Sequence, residues 1–365
     1  MSDMGDRIAP QLASARVTGT GFSRAIPVPE RYRTEGYEAA FDAETLWYDA
    51  VAVGGQTLLI CPKLGSLGRL VRAGQFTVDG RAVPVRRVRR YRRHDVVELA
   101  GSGLVVSLEA DGQRFGSAVS RDETGLFAGM NAHVAITKDN DPVWIEDFAR
   151  FHVQHHGLAG VLLFDNGSVR VPPEEAAAAL ARAGVRRAVV VPAPFPYGPR
   201  GKPPYARRTK FLQTALLNIA RLRFLGRARA VLQCDIDELV WSQDARIFDM
   251  AAESRLGLVR FAGRWMTPEK GQAGPFRHRD HRFRRAKDPD CPTKYCIRPQ
   301  SFFGRRSWDV HDLEGLPSVG SVSGAAGYLH CRGISTDWKG NARNRPVRGV
   351  PDAEAAALLD ATDWA

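Results

Sequence analysis

Short apolar runs alternate with turn residues over the first third of the chain. Gly54-Gly55 separates the apolar runs 46–53 and 57–61, and Asp79-Gly80 follows another short apolar run. Glycine pairs and Asp-Gly between such runs are typical of β-hairpins. The pattern therefore predicts a small β-rich N-terminal domain over residues 21–125, built as an antiparallel sandwich or barrel.

From Gly125 onward the pattern changes to strands that alternate with helices. The apolar strand 132–137 precedes Pro142, where a helix can begin, and Gly157 is placed to end that helix. Further helices are predicted at 173–183, 207–224 and 247–253, and further strands at 160–164, 187–191, 228–234 and 256–266. This alternation predicts an α/β fold with a mostly parallel sheet and right-handed crossovers over residues 126–345.

The two ends of the chain are predicted to lie outside these domains. Residues 1–20 are polar and small, and we expect a disordered tail there. Residues 346–365 are predicted to form a C-terminal tail with a short exposed helix from Asp352.

The strand 228–234 ends in three carboxylates, Asp235, Asp237 and Glu238. Ligands of parallel α/β sheets bind at the carboxyl ends of strands. Side chains at i and i+2 of an extended segment point the same way, and two carboxylates facing one point suit a divalent cation. The alternative is a strand-to-helix turn with acidic caps, in which Glu238 is a helix-capping acid.

Polar residues also follow two other strands of the predicted sheet. Lys138 and Asp139 follow the first strand, and Asp165 and Asn166 follow the second. Because these strands are predicted to be parallel, their ends would lie at one edge and line a cleft for a nucleotide and a metal. The alternative for Asp165-Asn166-Gly167 is an ordinary turn, since all three residue types favour turns.

These three blocks, in this order, resemble the GT-A glycosyltransferases of the family 92 and family 2-like groups. Those enzymes carry Lys-Asn/Asp-Glu, Tyr-Asp-Asn-x-Ser and Asp-x-Asp-Glu after the corresponding strands. The later segments 294–299, 310–311 and 329–332 resemble their distal blocks, so the similarity covers about residues 131–340. The resemblance implies a GT-A-like (Rossmann-like) domain, a nucleotide-diphosphate sugar donor, a glycan or other hydroxyl acceptor, and a divalent Mn or Mg ion.

The resemblance also implies roles for individual residues. Asp237 would bind the metal directly, Asp235 would hold the ribose or share the metal, and His330 would be a third ligand, with a packed strand histidine as its alternative. Lys138, Asp139, Asp165 and Asn166 would contact the donor. Lys294 and Arg298 would contact the diphosphate, with ordinary surface cations as the alternative. An inverting transfer needs a general base, for which Glu238, Asp309 and Asp312 are the candidates.

Composition narrows the class of protein only slightly. Lys and Arg number 52 and Asp and Glu 40, a net charge of +12, so the chain should attract nucleic acid, anionic lipid or phosphorylated small molecules. The arginine run 86–93 could bind such polyanions, but a solvated strand face explains it as well, and no specific nucleic acid partner is expected. Five scattered cysteines and no apolar run of 18 residues predict a soluble cytoplasmic protein. Peripheral contact with an anionic membrane is compatible with its charge.

Two other functions remain open at this point. A nucleotidyltransferase also uses paired carboxylates and a metal, but Lys138-Asp139 lacks the glycine-rich phosphate loop expected there. A non-enzymatic protein that binds polyanions through its arginines would leave the aligned carboxylates unexplained.

Overall fold

The computed structural model describes residues 10–314, 322–336 and 347–365. The first nine residues of the predicted tail and the predicted boundary at residues 345 and 346 lie outside this description. In the N-terminal part the elements are β1 (Ala15–Arg16), α1 (Tyr37–Ala40), β2 (Thr45–Trp47), β3 (Asp49–Val53), β4 (Gln56–Pro62), α2 (Gly68–Ala73), β5 (Gln75–Val78), β6 (Arg81–Val83), β7 (Val85–Arg90), β8 (His94–Leu99), β9 (Val105–Ala110) and β10 (Gln113–Ala118).

Both predicted hairpins are present. β3 and β4 pair antiparallel around Gly54-Gly55, and β5 and β6 pair antiparallel around Asp79-Gly80. Three of these four turn residues are glycines with positive φ, and Asp79 joins them at φ 49°. The strands form two four-stranded sheets, β3-β4-β8-β7 and β10-β9-β5-β6, which share a core that includes Leu59, Phe76 and Leu108.

The predicted disorder of residues 1–20 is wrong for the part of this tail around β1. β1 pairs antiparallel with β2, and Ala15 and Val17 are buried in the core of the two sheets. Ala15 and Val17 are two positions apart, so both point inward from an extended segment. Because most side chains of this segment are small, the sequence shows no clear alternation of apolar and polar positions that would predict a strand.

The arginine run lies mostly on β7, an edge strand of its sheet. Arg86, Arg87, Arg89 and Arg90 are exposed, whereas Val85 and Val88 are half-buried. This arrangement matches the solvated strand face that was the alternative to a binding patch.

The second part of the chain alternates strands and helices. Its elements are β11 (Asn131–Thr137), α3 (Pro142–His156), β12 (Gly160–Asp165), α4 (Pro173–Arg182), β13 (Arg187–Pro192), α5 (Leu212–Ile219), β14 (Ala230–Gln233), β15 (Glu238–Ser242), α6 (Ile247–Glu253), β16 (Leu258–Met266), β17 (Phe283–Arg284), β18 (Lys294–Ile297), β19 (Val322–Cys331), β20 (Val350–Pro351) and α7 (Ala353–Asp360).

Within the described residues, eight of these strands form one sheet in the order β13-β12-β11-β14-β18-β16-β19-β15. Four of its seven neighbouring pairs are parallel, namely β13–β12, β12–β11, β11–β14 and β16–β19. The predicted α/β class with a mostly parallel sheet is therefore confirmed. The parallel block β13-β12-β11-β14 places the carboxyl ends of four strands at one edge, where ligands of such sheets bind.

The helix limits follow local signals closely in α3 and less closely in α5. Asp141 caps α3 by accepting a hydrogen bond from Val143 N, and Gly157 ends it with φ 65°. The prediction that the next long helix begins near residue 207 is wrong, because α5 begins at Leu212. The preceding residues form a closed loop in which Thr209 Oγ1 lies 2.6 Å from the Tyr37 hydroxyl.

Two apolar cores lie on the faces of the large sheet. One of them joins both parts of the chain. Tyr48 just before β3, Val51 of β3 and Ile60 of β4 pack in this core with residues of α5. At the C-terminus, α7 confirms the predicted helix. Its Ala355 and Leu359 are fully buried, so the prediction that it is exposed is wrong for this face.

No helix in the described part of the chain combines the length and the apolar character that a membrane crossing requires.

Candidate functional site

The three carboxylates after β14 lie in a tight turn. β15 begins at Glu238 and pairs antiparallel with β19, with Glu238 opposite His330. The helix-capping alternative for Glu238 is therefore wrong, because Glu238 starts a strand. The expectation that Asp235 and Asp237 face one point also fails, since that argument requires an extended segment and the chain turns between them.

Every carbonyl of this turn is held by a hydrogen bond. His133 Nε2 lies 2.9 Å from Cys234 O, and His278 Nε2 lies 2.9 Å from Ile236 O. The backbone N–H groups of Glu238 and Cys331 donate to the carbonyls of Asp235 and Asp237. Because residues from other elements fix the backbone at three points and the turn closes on itself at a fourth, the carboxylates project from a rigid turn.

The histidine that holds Ile236 is itself supported by a buried carboxylate. Asp147 of α3 is fully buried, its Oδ2 lies 3.7 Å from His278 Nδ1, and Arg277 donates to it. Burial alone would raise the pKa of Asp147, but His278 and Arg277 outweigh burial and hold the pKa below its usual value. The carboxylate thus orients the imidazole, and the imidazole fixes the acidic turn.

Asp237, Glu238 and His330 form a group suited to a metal ion. One ligand atom from each lies within 4.8 Å of the others. His330 Nε2 is 3.1 Å from Asp237 Oδ2, and His330 Nδ1 is 3.7 Å from Glu238 Oε1. Two carboxylates and one imidazole are a donor set that accepts Mn²⁺ or a similar divalent ion. Among the described residues His330 Nδ1 has no hydrogen-bond partner, although it is buried.

The same group stabilises positive charge. Burial alone would lower the pKa of His330, but Asp237 and Glu238 outweigh burial and raise the pKa to about 10. Trp265 stacks on the imidazole with ring centroids 3.9 Å apart and so fixes its plane. A cation is therefore favoured at this point, whether it is a proton on His330 or a metal ion between the three side chains.

Asp235 belongs to a neighbouring ion pair instead of the metal-binding group. Its Oδ2 lies 2.7 Å from Lys294 Nζ, which also lies 2.9 Å from Glu238 Oε2. The expectation that Asp235 holds the ribose or shares the metal stays a prediction, and the charge of Lys294 is already paired with two carboxylates. Burial raises the pKa of Glu238, although Lys294 opposes this effect. Lys294 also fixes the orientation of the Glu238 side chain.

The predicted donor-binding residues lie at the same sheet edge, because β11, β12 and β14 are parallel neighbours. Their polar groups, however, shape the adjoining loop. Asp139 Oδ1 accepts hydrogen bonds from Val169 N (2.8 Å) and Arg170 N (2.6 Å), and Asn166 donates to the carbonyls of Ala193 and Phe195.

Asp165 accepts hydrogen bonds from Ser168, and the Lys138 carbonyl accepts one from the Thr336 hydroxyl (3.0 Å). These contacts match the turn alternative for Asp165-Asn166-Gly167. The donor contacts of Lys138, Asp139, Asp165 and Asn166 stay a prediction.

The other predicted residues are engaged in ion pairs or helix contacts. Asp309 is buried and accepts from Arg92, Arg93 and Thr214, and Arg93 overcomes the effect of burial to lower its pKa. Asp312 is more accessible and lies 3.2 Å from Arg260. The guanidinium of Arg298 donates to Ala252 O near the end of α6, and its contact with the diphosphate stays a prediction.

A cavity of about 200 Å³ opens beside the acidic turn. Asp235, Glu238, Lys294 and His330 line it, together with Trp265. Asp139, Asp165 and Asn166 are not among the described residues that line it. The same cavity is lined by a set of cations that sequence reasoning did not assign to the site, namely Arg93, Arg200, Arg207 and Lys210.

Few of the residues that the sequence analysis did not assign to the site have a recognisable sequence pattern. Arg93 ends the arginine run and lies in the turn after β7, where the strand alternation is already broken. His133 and His278, which hold the acidic turn, have no motif, because their partners are backbone carbonyls far along the chain.

No protein-family model matches the chain, and no curated protein sequence matches it.

Proposed function

We propose that this protein is a metal-dependent glycosyltransferase with a GT-A-like α/β domain, which moves a sugar from a nucleotide-diphosphate donor to a hydroxyl acceptor. The observation that carries the proposal is the group Asp237–Glu238–His330, held on a rigid turn at the carboxyl end of a parallel strand and next to a cation-lined cavity. This group supports a divalent metal at the place where α/β sheets bind ligands.

Asp237, Glu238 and His330 would hold the metal, which would neutralise the charge that develops on the diphosphate leaving group. Lys294 keeps Glu238 in place by its ion pair, and Trp265 keeps the His330 ring in one orientation. The cations Arg200 and Lys210 add positive potential around phosphate oxygens in the cavity.

Asp312 is the best supported general base among the three candidates. Asp309 is fixed between two arginines, and Glu238 is paired with Lys294 and faces His330. Asp312 has a partly exposed carboxylate that lines a second cavity, of about 320 Å³, beside the first. An acceptor hydroxyl in this second cavity would transfer its proton to Asp312 as the glycosidic bond of the donor breaks.

The test is thermal stabilisation by a panel of nucleoside diphosphates and sugar nucleotides, each with and without Mn²⁺. A ligand at about 100 times its dissociation constant stabilises the folded state by about 2.7 kcal/mol. We expect one nucleobase to stabilise the wild type only with Mn²⁺ and Asp237→Asn to abolish the effect. Asp244→Asn changes an exposed aspartate of the loop between β15 and α6, makes the same change of charge and should leave the effect intact.

Two alternatives are distinguished from the proposal, the first by analysis of the reaction products and the second by the same thermal assay. A nucleotidyltransferase releases pyrophosphate from a nucleoside triphosphate, whereas the proposed transferase releases a nucleoside diphosphate. A polyanion-binding protein, favoured by the exposed arginines of β7, would be stabilised by heparin or RNA to the same extent in the wild type and in Asp237→Asn.

A further inference from the structure

The loop 198–210, called the basic loop below, carries five cations and has a defined structure. Its cations are Arg200, Lys202, Arg207, Arg208 and Lys210. Gly198 has φ +98°, and a Cβ built on it would lie 2.3 Å from Thr209 O, so the two ends of the loop touch.

The N-terminal segment anchors the basic loop at two further points. Lys202 N donates to Tyr32 O (2.7 Å), and the Thr34 hydroxyl donates to Arg200 O (2.7 Å). The loop is thus held from both sides, and its cations project from a fixed backbone.

The second cavity lies between the basic loop and the turn that carries Asp309 and Asp312. It is lined by Arg92, Arg93, Arg207, Arg208, Asp309 and Asp312, together with His311. Arg93, Arg207 and His311 also line the first cavity, so the two spaces adjoin. A group in the second cavity would therefore lie next to the metal-binding group without occupying its space.

The acidic residues of the second cavity are already in ion pairs, whereas two of its arginines have no ion pair with any described residue. Asp309 is bound by Arg92 and Arg93, and Asp312 pairs with Arg260. Over the described part of the chain, Arg207 and Arg208 make no side-chain ion pair, and both are exposed.

The positive charge of Arg207 acts on its neighbours. Burial lowers the pKa of His311 to about 3, and the charges of Lys294 and Arg207 contribute to this shift. The positive potential of Arg207 thus reaches the lining of the cavity and would attract an anion there.

We propose that Arg207 and Arg208 bind an oxyanion of the acceptor, a phosphate or a carboxylate, in the second cavity. The guanidinium fork matches the oxygen spacing of both groups. The assignment of this oxyanion to the acceptor rests on the proposed function, in which the metal binds the donor diphosphate in the first cavity and Asp312 faces the acceptor hydroxyl. The acceptor would then be an anionic molecule, such as a phosphorylated or uronic acid-containing glycan.

The first experiment measures binding of inorganic phosphate, and separately of glucuronate, by calorimetry in EDTA at low salt. We expect at least one of these anions to bind the wild type and the double variant Arg207→Gln/Arg208→Gln to weaken that binding by about 10-fold or more. The control Arg186→Gln/Arg187→Gln removes the same charge from exposed arginines at the start of β13, the opposite end of a parallel strand, and should bind as the wild type does. Which anion binds more tightly distinguishes a phosphate from a carboxylate.

Equal losses in both double variants, or no loss in either, would overturn the assignment to Arg207 and Arg208. Absence of binding of both anions to the wild type would also overturn it. Since Arg207 and Arg208 are exposed, the melting temperature of the double variant without anion should match the wild type and confirm that the variant is folded.

A competition titration separates the acceptor from the donor. If the anion belongs to the acceptor, it binds together with Mn²⁺ and the stabilising nucleoside diphosphate, and Asp237→Asn retains it. Displacement of the anion by the nucleoside diphosphate would overturn the acceptor assignment. Failure of the proposed function would look different, because no nucleoside diphosphate would bind while the EDTA titration of the anion remained unchanged.

Discussion

His152 and His156, one helical turn apart on α3, bind both backbone groups of Val240. Val240 N donates to His152 Nε2 (3.2 Å), and His156 Nε2 donates to Val240 O (2.7 Å). The other nitrogens are also used, since His152 Nδ1 donates to Phe148 O (2.7 Å) and His156 Nδ1 accepts from Ile247 N (3.3 Å). Val240 lies in β15, the last strand of the large sheet, so the two imidazoles cover an edge that would otherwise be open to pairing.

This arrangement predicts that the protein loses stability in mild acid. Each ring uses one nitrogen as an acceptor and must stay neutral, and burial lowers the pKa of His156 to about 4 and that of His152 well below its usual value. Histidines of the unfolded chain titrate near pH 6.5, so the unfolded state binds more protons between about pH 6.5 and pH 4. The free energy of unfolding therefore falls as the pH decreases through this window, by up to about 1.4 kcal/mol per pH unit for each histidine.

Urea unfolding at pH 5.0, 5.5, 6.0 and 6.5 measures this slope. His156→Gln keeps an amide that can donate to Val240 O but does not titrate. The free energy of unfolding of this variant should therefore fall less steeply with decreasing pH, and the difference should equal the contribution of one histidine. An unchanged slope would mean that His156 is protonated equally in the folded and unfolded states.

A second prediction concerns the support of the acidic turn. His278→Asn shortens the side chain that holds Ile236 O, and we expect the affinity for Mn²⁺ to fall by about 10- to 100-fold, as is common when a supporting group of a metal site is lost. His94→Gln is the control, because His94 is equally buried but lies in β8, among the N-terminal sheets. Calorimetric titration with Mn²⁺ should show a loss for His278→Asn alone, and a similar loss in both variants would assign it to general destabilisation.

A third prediction concerns the basic loop. Gly198→Ala places a methyl group 2.3 Å from Thr209 O and forces the loop to open, which should lower both the stability and the affinity for inorganic phosphate. Gly271→Ala is a close control, because Gly271 has φ +90° and no atom within 4 Å of the added Cβ.

The control should lose only the cost of the left-handed backbone, about 1–2 kcal/mol in urea unfolding, and should keep its phosphate affinity. Equal losses of stability and of affinity in the two variants would show that the contact with Thr209 does not hold the loop.

A fourth prediction tests Asp312 as the general base. Asp312→Asn should lower the rate of sugar transfer, or of donor hydrolysis when water replaces the acceptor, by about 10²- to 10⁴-fold. Binding of Mn²⁺ and the nucleoside diphosphate should not change, since Asp312 is outside the metal-binding group. A variant that loses nucleotide affinity in parallel with rate would instead indicate a structural role for the ion pair with Arg260.

The fold was predictable where a few neighbouring residues decide the conformation. Asp141, Pro142 and Gly157 mark both ends of α3, and Gly54-Gly55 marks a hairpin, because each acts through its own backbone or the next turn. β15 was missed, because its backbone partners come from β19, far along the chain.

Some residues of the candidate site could be predicted from the sequence, but their hydrogen-bond and ion-pair partners could not. The strand order placed Asp237 and His330 in the expected region, since residue type and strand ends carry that information. The ion pair of Asp235 with Lys294, 59 residues later, could not be predicted, because no local pattern connects the two residues. The cations of the basic loop were missed for the same reason, since a Pro- and Gly-rich segment has no periodicity that reveals which side chains face a cavity.

The apolar core that joins Tyr48, Val51 and Ile60 to α5 has a consequence for biosynthesis. Synthesis runs from the N-terminus, so these three side chains leave the ribosome long before the residues of α5 that cover them. The apolar face of the N-terminal sheets therefore stays exposed to solvent until the basic loop and α5 have been synthesised. If translation stops between β4 and α5, the partly synthesised chain exposes this apolar face and is prone to aggregate. A chaperone that binds apolar surface would therefore be needed most during this interval.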